Sequence, residues 1–418
     1  MVSLARELKA RGHECELFFF TRGPMGEQLP PGLVAHFGDL ADCVRLVRER
    51  RFDLVHANSG DWHNGVAAVR RTGVRLVLTS HGRVTAGWNS TNCDGYACCS
   101  RWEAEEQRAF TDLPVRTILN GVNTERFSPE AGPAAAHRGR PVVAWVGRGP
   151  DMVHKRIDRL AAVAPALRRA GVRIWIADPF GPGEVEKVAP EAAAVLRVAA
   201  EFWGGVERAA LPEFYRRVAA SGGCVLSTSA EEGLPLSLIE AQACGCPVVG
   251  PDVRGVNEVI DPEHGGVLYP FQMEPKQLAS LVLATLADEE NMRWRRGASV
   301  RHMREKFSLS RMAEDYIRLY EETLSSERRP TAGLRARLWL APLLNWGDYV
   351  ERRWSAGVCH YEAAGKLAGQ GEWVLARRAA RLSVETCPSL YVRPTRLAHL
   401  LKILLRPSFL QGGHRMAG

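Results

Sequence analysis

The segment Ser227 to Glu240, Ser-Thr-Ser-Ala-Glu-Glu-Gly-Leu-Pro-Leu-Ser-Leu-Ile-Glu, is the most informative stretch of the 418-residue chain. It reads as a strand end, a glycine turn and a helix start. Gly233 permits close approach of the backbone, and Pro235 suits the first helical position, where its missing N–H would have no partner anyway. The first amides of such a helix, aided by its dipole, offer a site for a diphosphate. Glu232 precedes the helix and Glu240 lies inside it. Ionised carboxylates only accept hydrogen bonds, which matches them to neighbouring sugar hydroxyls. On spacing alone an equal alternative stays open: Glu231 and Glu232 flank a surface turn, and Glu240 is a solvated helical residue.

Such a turn needs a sheet beneath it, and the pattern supplies two. Apolar runs at Glu14 to Phe20, Leu54 to Ala57, Val74 to Thr79, Tyr96 to Cys99 and Val115 to Leu119 alternate with helical patterns such as Leu40 to Arg50 and Trp62 to Arg71. Short buried strands alternating with helices predict a parallel sheet of crossover units. Ser100 with Glu103 is a capping-box signature for a helix reaching about Phe110. After a Pro/Ala/Gly-rich loop, Ser128 to Arg140, the alternation restarts. Strands are expected at Pro141 to Gly147, Val172 to Ala177, Arg197 to Trp203, Gly223 to Thr228 and Pro247 to Gly250. Helices are expected at Arg156 to Ala170, Leu211 to Ala219, Pro235 to Cys244 and through Lys276 to Glu322. The expected architecture is therefore α/β. Two doubly wound Rossmann-like domains, 1–135 and 141–327, face a cleft at their strand ends, and a helical appendage follows at 328–418.

Several segments, in order, resemble the retaining family 4 glycosyltransferases of the GT-B fold. Ser227 to Val249, ending Glu-Ala-Gln-Ala-Cys-Gly-Cys-Pro-Val-Val, is similar to the family's donor-site signature. The resemblance continues in Arg254-Gly255-Val256-Asn257-Glu258, in Ile118-Leu119-Asn120-Gly121-Val122-Asn123 with Arg126-Phe127, and in Val146-Gly147-Arg148 followed by Lys155, covering roughly Met1 to Leu324. It implies transfer of a hexose-type sugar from a nucleoside-diphosphate donor to a hydroxyl acceptor, with retention. It further implies that Arg148 and Lys155 grip the diphosphate beside the turn Gly233, Leu234, Pro235 and Leu236, where fixed cations stabilise the departing charge. By the same resemblance Glu240 holds the ribose, Glu232 contacts the donor sugar near the reacting carbon, and His81, in Leu78-Thr79-Ser80-His81-Gly82, reaches that sugar from across the cleft. Glu258 is either a further family glutamate or an ordinary charge at a helix start. His56 and Asn58 mark a second strand end; the family often has a histidine where Asn58 stands, so no acid-base role is assigned there.

The chain contains no Asp-x-Asp, the short acidic motif with which other glycosyltransferases hold a divalent metal. Catalysis is expected without metal or cofactor, the nucleotide sugar being a co-substrate. The family's usual first strand and glycine-rich turn are also missing before Val2 to His13. A start codon placed too late accounts for this better than a natural truncation, because loss of a central strand exposes two edges. The competing functions are a catalytically inactive sugar-nucleotide-binding or scaffold protein and a GT-B epimerase or phosphorylase.

Hydrophobic residues at 46% and charged residues at 24% place the chain among globular proteins. No apolar run is long enough to span a bilayer and the start reads as a charged helix, so the expected compartment is the cytosol. The cysteines include no Cys-x-x-Cys pair, and Cys98 and Cys99 are adjacent, which favours buried thiols over zinc or disulfides. Charge is unevenly placed: residues 328–418 hold 15 Lys/Arg and 5 Asp/Glu of the chain's 55 and 47, a tail of +10 on a body of −2. A near-neutral body argues against nucleic acid as a partner. In the tail, 362–388 resembles one helical hairpin. Leu397, Leu400, Leu401 and Leu404 form an apolar stripe flanked by Arg396, His399, Lys402 and Arg406. Such a helix fits the anionic inner face of a membrane, and the expected acceptor is a saccharide, free or lipid-linked.

Overall fold

The computed structural model describes residues 1–20, 29, 31–59, 63–81, 93–108, 113–129, 139–152, 154–204, 206 and 209–327, and beyond them Ala368, Arg377, Ala380, Arg381, Val384 and Leu401. The hairpin expected at 362–388 and the amphipathic helix at 393–406 lie outside the described residues, those positions apart. Met1–Ala332 forms one compact unit and Gly333–Gly418 another.

The first unit opens with helix α1 (Val2–Ala10), followed by β1 (Glu16–Phe19) and β2 (Val34–Phe37). These two strands pair in parallel, with Phe19 opposite Phe37 and their rings stacked. Next come α2 (Leu40–Arg50), β3 (Leu54–Ser59), α3 (His63–Arg70), β4 (Arg75–Ser80), β5 (Gly95–Cys98), α4 (Arg101–Arg108) and β6 (Val115–Thr117). Strands β3 to β6 form a parallel sheet in chain order. The β1–β2 pair is a separate sheet, although Phe18 packs on the same core as Val66, Leu76 and Tyr96. Among the described residues no strand joins the two sheets.

The second half contains β7 (Val142–Val146), α5 (Ile157–Arg169), β8 (Arg173–Ala177), α6 (Gly181–Val188), α7 (Pro190–Ala199), β9 (Glu201–Phe202), α8 (Leu211–Ala220), β10 (Cys224–Leu226), α9 (Leu236–Ala243), β11 (Val248–Pro251) and β12 (Val267–Tyr269). Its six strands run in the order β12-β11-β10-β7-β8-β9, every pair parallel. The chain winds outward from β7 through β8 to β9, then crosses back to β10. The switch point therefore lies between β7 and β10, where a doubly wound sheet opens a crevice at its strand ends. β5, β10 and β11 are buried at every position, as expected for strands covered on both faces.

Two expectations are corrected here. Residues 197–199, expected to open a strand, are the end of α7, whose Pro190 and alanines favour a helix; only Glu201 and Phe202 pair. The capping box at Ser100 and Glu103 does not form: the Ser100 hydroxyl is buried without a partner, and Glu103 takes bonds from Ser80 and Cys99 instead.

Helices α10 (Pro275–Ala287), α11 (Glu289–Lys306) and α12 (Leu309–Ser325) complete the unit. α12 does not stay with the second half. Leu309, Met312, Ala313, Tyr316 and Leu319 pack with Leu4 and Leu8 of α1 against Val77 and Ala97 of the first sheet. Burying each of the leucine and methionine side chains is worth about 1.5–3 kcal/mol, enough to hold this return. The crossing is pinned where the Val122 amide bonds the Phe307 carbonyl (2.8 Å) and the Leu309 amide bonds the Val122 carbonyl (3.0 Å). All eight cysteines among the described residues are free thiols, seven of them buried. No described helix is long and apolar enough to cross a membrane.

Candidate functional site

The turn after β10 is built over the switch point. Trp145, from β7, donates its indole N–H to Thr228 Oγ1 (2.9 Å), and that hydroxyl donates to the Lys155 carbonyl (2.8 Å). The Ala230 amide bonds the His154 carbonyl at 2.7 Å, so the loop after β7 is latched to the loop after β10. The latch delivers Lys155 to Glu232. Their Nζ and Oε1 atoms lie 2.5 Å apart with both side chains largely buried, and Ser229 Oγ donates to the same oxygen at 2.7 Å. Lys155, Ser229, Glu232, Pro235 and Ser237 line a small crevice whose floor includes Val146 and Leu226. Ser229 was not singled out by the sequence, where a lone serine carries no signal.

Arg148 sits on the same loop, largely exposed, with its guanidinium 3.0 Å from Asp151 Oδ2. Asp151 also takes a bond from the His154 ring (2.9 Å). Burial works against its charge, but the bonds from His154 and then the Arg148 charge hold the carboxyl below its ordinary pKa. Both cations of the expected diphosphate grip are thus present, each already paired with a carboxylate.

Helix α9 begins at Leu236, one residue later than expected. Pro235 is the N-cap, with no side-chain cap. Leu234 turns its side chain into the core, whereas Leu236 is exposed. Glu240 is not a solvated helical residue: it is buried beside the Tyr215 hydroxyl, which lies 3.5 Å from Oε2. Glu231 is buried too, so the surface-turn alternative falls.

The first half approaches this turn directly. A Cβ at Gly233 would stand 2.6 Å from the His81 carbonyl oxygen, so only glycine fits while β4 ends here. Gly255, at φ +77°, plays the matching part behind the turn, where a Cβ would lie 2.1 Å from the Glu232 carbonyl oxygen. His81 Nε2 is 3.2 Å from Asn58 Oδ1, which joins the two strand ends marked in the sequence. His56 faces away from this chemistry: its ring nitrogens are each 2.7 Å from a hydroxyl, those of Tyr320 and Thr79, against α12. Glu258 neither contacts this crevice nor starts its own helix. Its carboxylate accepts the Arg101 (2.8 Å) and Trp102 (3.1 Å) amides and so caps α4 of the other half.

Residues 140–288 match the family described as Glycosyl transferases group 1, and residues 1–126 match Glycosyltransferase Family 4. The chain belongs to the family 4 glycosyltransferases. A D-inositol 3-phosphate glycosyltransferase of Saccharomonospora viridis is 30% identical to this family 4 chain over 227 residues, 51% of each protein. The chain spans about half the length of the curated relatives it matches first. Solved structures share its fold. A glycosyltransferase from Rickettsia africae superposes with TM-score 0.67 at 16% identity, covering 78% of this chain and 94% of that one. The Anabaena protein HepE, in complex with UDP and glucose, gives TM-score 0.62 at 18% identity over 78% and 95%. The two lobes of this family 4 member are thus those of a GT-B protein.

Proposed function

We propose that the chain transfers a sugar from a nucleoside-diphosphate donor to a hydroxyl acceptor, with retention at the sugar carbon. The observation that carries this reading is the convergence of Lys155 and Glu232 on the switch-point crevice, beside a Gly233 turn against which the His81 strand end of the opposite lobe packs. In the proposed complex the diphosphate takes Lys155 and Arg148 from their present carboxylate partners and lies at the start of α9, at Leu236. Glu240 receives the ribose, and Glu232, released from Lys155, accepts from the donor sugar. His81 bonds that sugar from the other side. The charge gained by the departing nucleotide is met by fixed cations and helix amides, so no divalent ion is required for the chemistry. The HepE complex with UDP supports a uridine nucleotide as the first probe. The acceptor is proposed to be a cell-envelope saccharide or lipid-linked saccharide, met where the basic tail holds the enzyme on the inner face of an anionic membrane.

Product analysis tests the reading. The protein is incubated with UDP-glucose, UDP-N-acetylglucosamine or GDP-mannose, with and without saccharide acceptors, and products are read by NMR. Acceptor-dependent release of nucleoside diphosphate with an axial new linkage is expected. An epimerised nucleotide sugar formed without acceptor, or a sugar phosphate formed with inorganic phosphate, would assign a different reaction. Nucleotide binding with no turnover under any acceptor would make the protein a binding scaffold.

A further inference from the structure

The turn after β11 brings together three side chains that the donor site does not use. Asp261 caps a short 3-10 turn, Pro262–His264, by accepting the Glu263 amide on Oδ1 (3.0 Å). Its second oxygen, Oδ2, lies 2.9 Å from His264 Nδ1. The His264 ring is stacked on that of His302, from the last turns of α11, with centroids 4.1 Å apart and planes inclined by 20°. His302 is 7% exposed, and its Nε2 is buried with no hydrogen-bond partner. One ligating atom from each of the three residues lies within 4.8 Å of the others.

A buried ring nitrogen without a partner costs free energy. A cation shared by the two rings would satisfy it once the rings turn apart enough for a lone pair of each to point at the ion. We infer that Asp261, His264 and His302 bind one divalent transition-metal ion of the zinc type, stapling the turn to α11. Imidazole and carboxylate are the ligands zinc takes, at about 2.0–2.2 Å, and a tetrahedral set places ligand atoms roughly 3.3 Å apart. The described atoms need converge by up to about 1.5 Å more, and the partly exposed turn bearing Asp261 and His264 can supply that movement. The frame is already built: Ser299 Oγ donates to the His264 carbonyl (3.1 Å), and Arg295 donates to the carbonyls of Gly265 (3.2 Å) and Gly266 (2.9 Å). Solvent reaches the site past Asp261 and His264, leaving a fourth position for water. The ion would be structural, since none of its ligands belongs to the proposed donor site.

The test does not depend on activity. Full-length protein stripped by chelator and dialysed is titrated with zinc by calorimetry and with cobalt(II) by visible absorption. One equivalent of zinc, a cobalt band of tetrahedral intensity and a zinc-dependent rise in Tm are expected. His264→Gln and Asp261→Asn, both at partly exposed positions, should each weaken zinc at least about tenfold and abolish the Tm rise while leaving the metal-free Tm near wild type. Absence of binding at micromolar zinc, or wild-type affinity in His264→Gln, overturns the inference and leaves the stacked rings as packing.

Discussion

Glu232 and Glu240 sit in different surroundings, and their substitutions should separate. Glu232 lines the crevice, its carboxylate shared by Lys155 and Ser229. If it meets the donor sugar near the reacting carbon, its contact strengthens as charge develops, and Glu232→Gln should lower kcat about 100-fold with little change in KM. Glu240 is buried on α9, so Glu240→Gln should instead weaken nucleotide binding about tenfold or more. Steady-state kinetics and UDP titration distinguish the two, and near-wild-type values for both would remove the assignment. His56 makes a different prediction. Burial pulls its pKa from 6.5 down to about 3, so the folded protein holds it neutral. That stability is complete above pH 6.5 and is lost as pH falls from there toward 3, on the order of 1 kcal/mol per unit. Urea unfolding at pH 7.5 and 5 should show this loss in the wild type and a smaller one in His56→Gln, whose amide can serve both hydroxyls. The carboxylates and cations of the proposed donor site could be picked out in the sequence because they stand on one strand-turn-helix segment and one neighbouring loop. The partners of His56 were not, because Tyr320 lies 264 residues away.

Most strands and helices around the site follow from local pattern, and α2 matches its expected bounds, Leu40–Arg50. What local pattern misses is which element completes another. Ser100 and Glu103 carry the letters of a capping box, yet Glu103 turns inward to Ser80 and Cys99, and α4 receives its cap from Glu258, more than 150 residues away. Likewise α12 follows the second half in sequence but fills the core of the first, because its Tyr316 and Leu319 face finds apolar partners there. Strands β2 and β12 escaped because they are short and only partly buried, unlike β5 and β10, which are equally short but buried at every position. The Glu258 cap has a measurable consequence. Glu258→Ala leaves the first amides of α4 without their carboxylate and should cost about 1–2 kcal/mol in urea unfolding. A donor-contact role would appear as weaker UDP binding with stability unchanged. Trp102, whose amide takes the cap, offers local fluorescence to report whether α4 frays first.

Across the whole chain, charge decides two outcomes. If cations and helix amides carry the donor diphosphate, transfer should survive excess EDTA at temperatures well below unfolding; loss of activity restored by magnesium or manganese would place that stabilisation elsewhere. Where the zinc-type site is loaded, EDTA should lower Tm without lowering turnover, so the two effects are separable. The tail carries the other charge argument. Residues 328–418 hold the entire net positive charge of the protein and more, +10 against −2 for the rest. On the stripe of 393–406, Leu401 is exposed, 42% of its surface being open to solvent. Each basic residue near an anionic surface is worth about 1 kcal/mol, and apolar burial along the stripe adds to it, so even partial engagement gives measurable binding. Full-length protein should therefore sediment with phosphatidylserine-containing vesicles at low salt and release as salt screens the attraction. Deleting 393–418, or combining Arg396→Glu with Lys402→Glu, should abolish sedimentation while transfer to a soluble acceptor continues. A protein that ignores such vesicles at low salt, or a deletion that lowers Tm and soluble activity together, would make the tail a structural element of the enzyme and end the membrane reading.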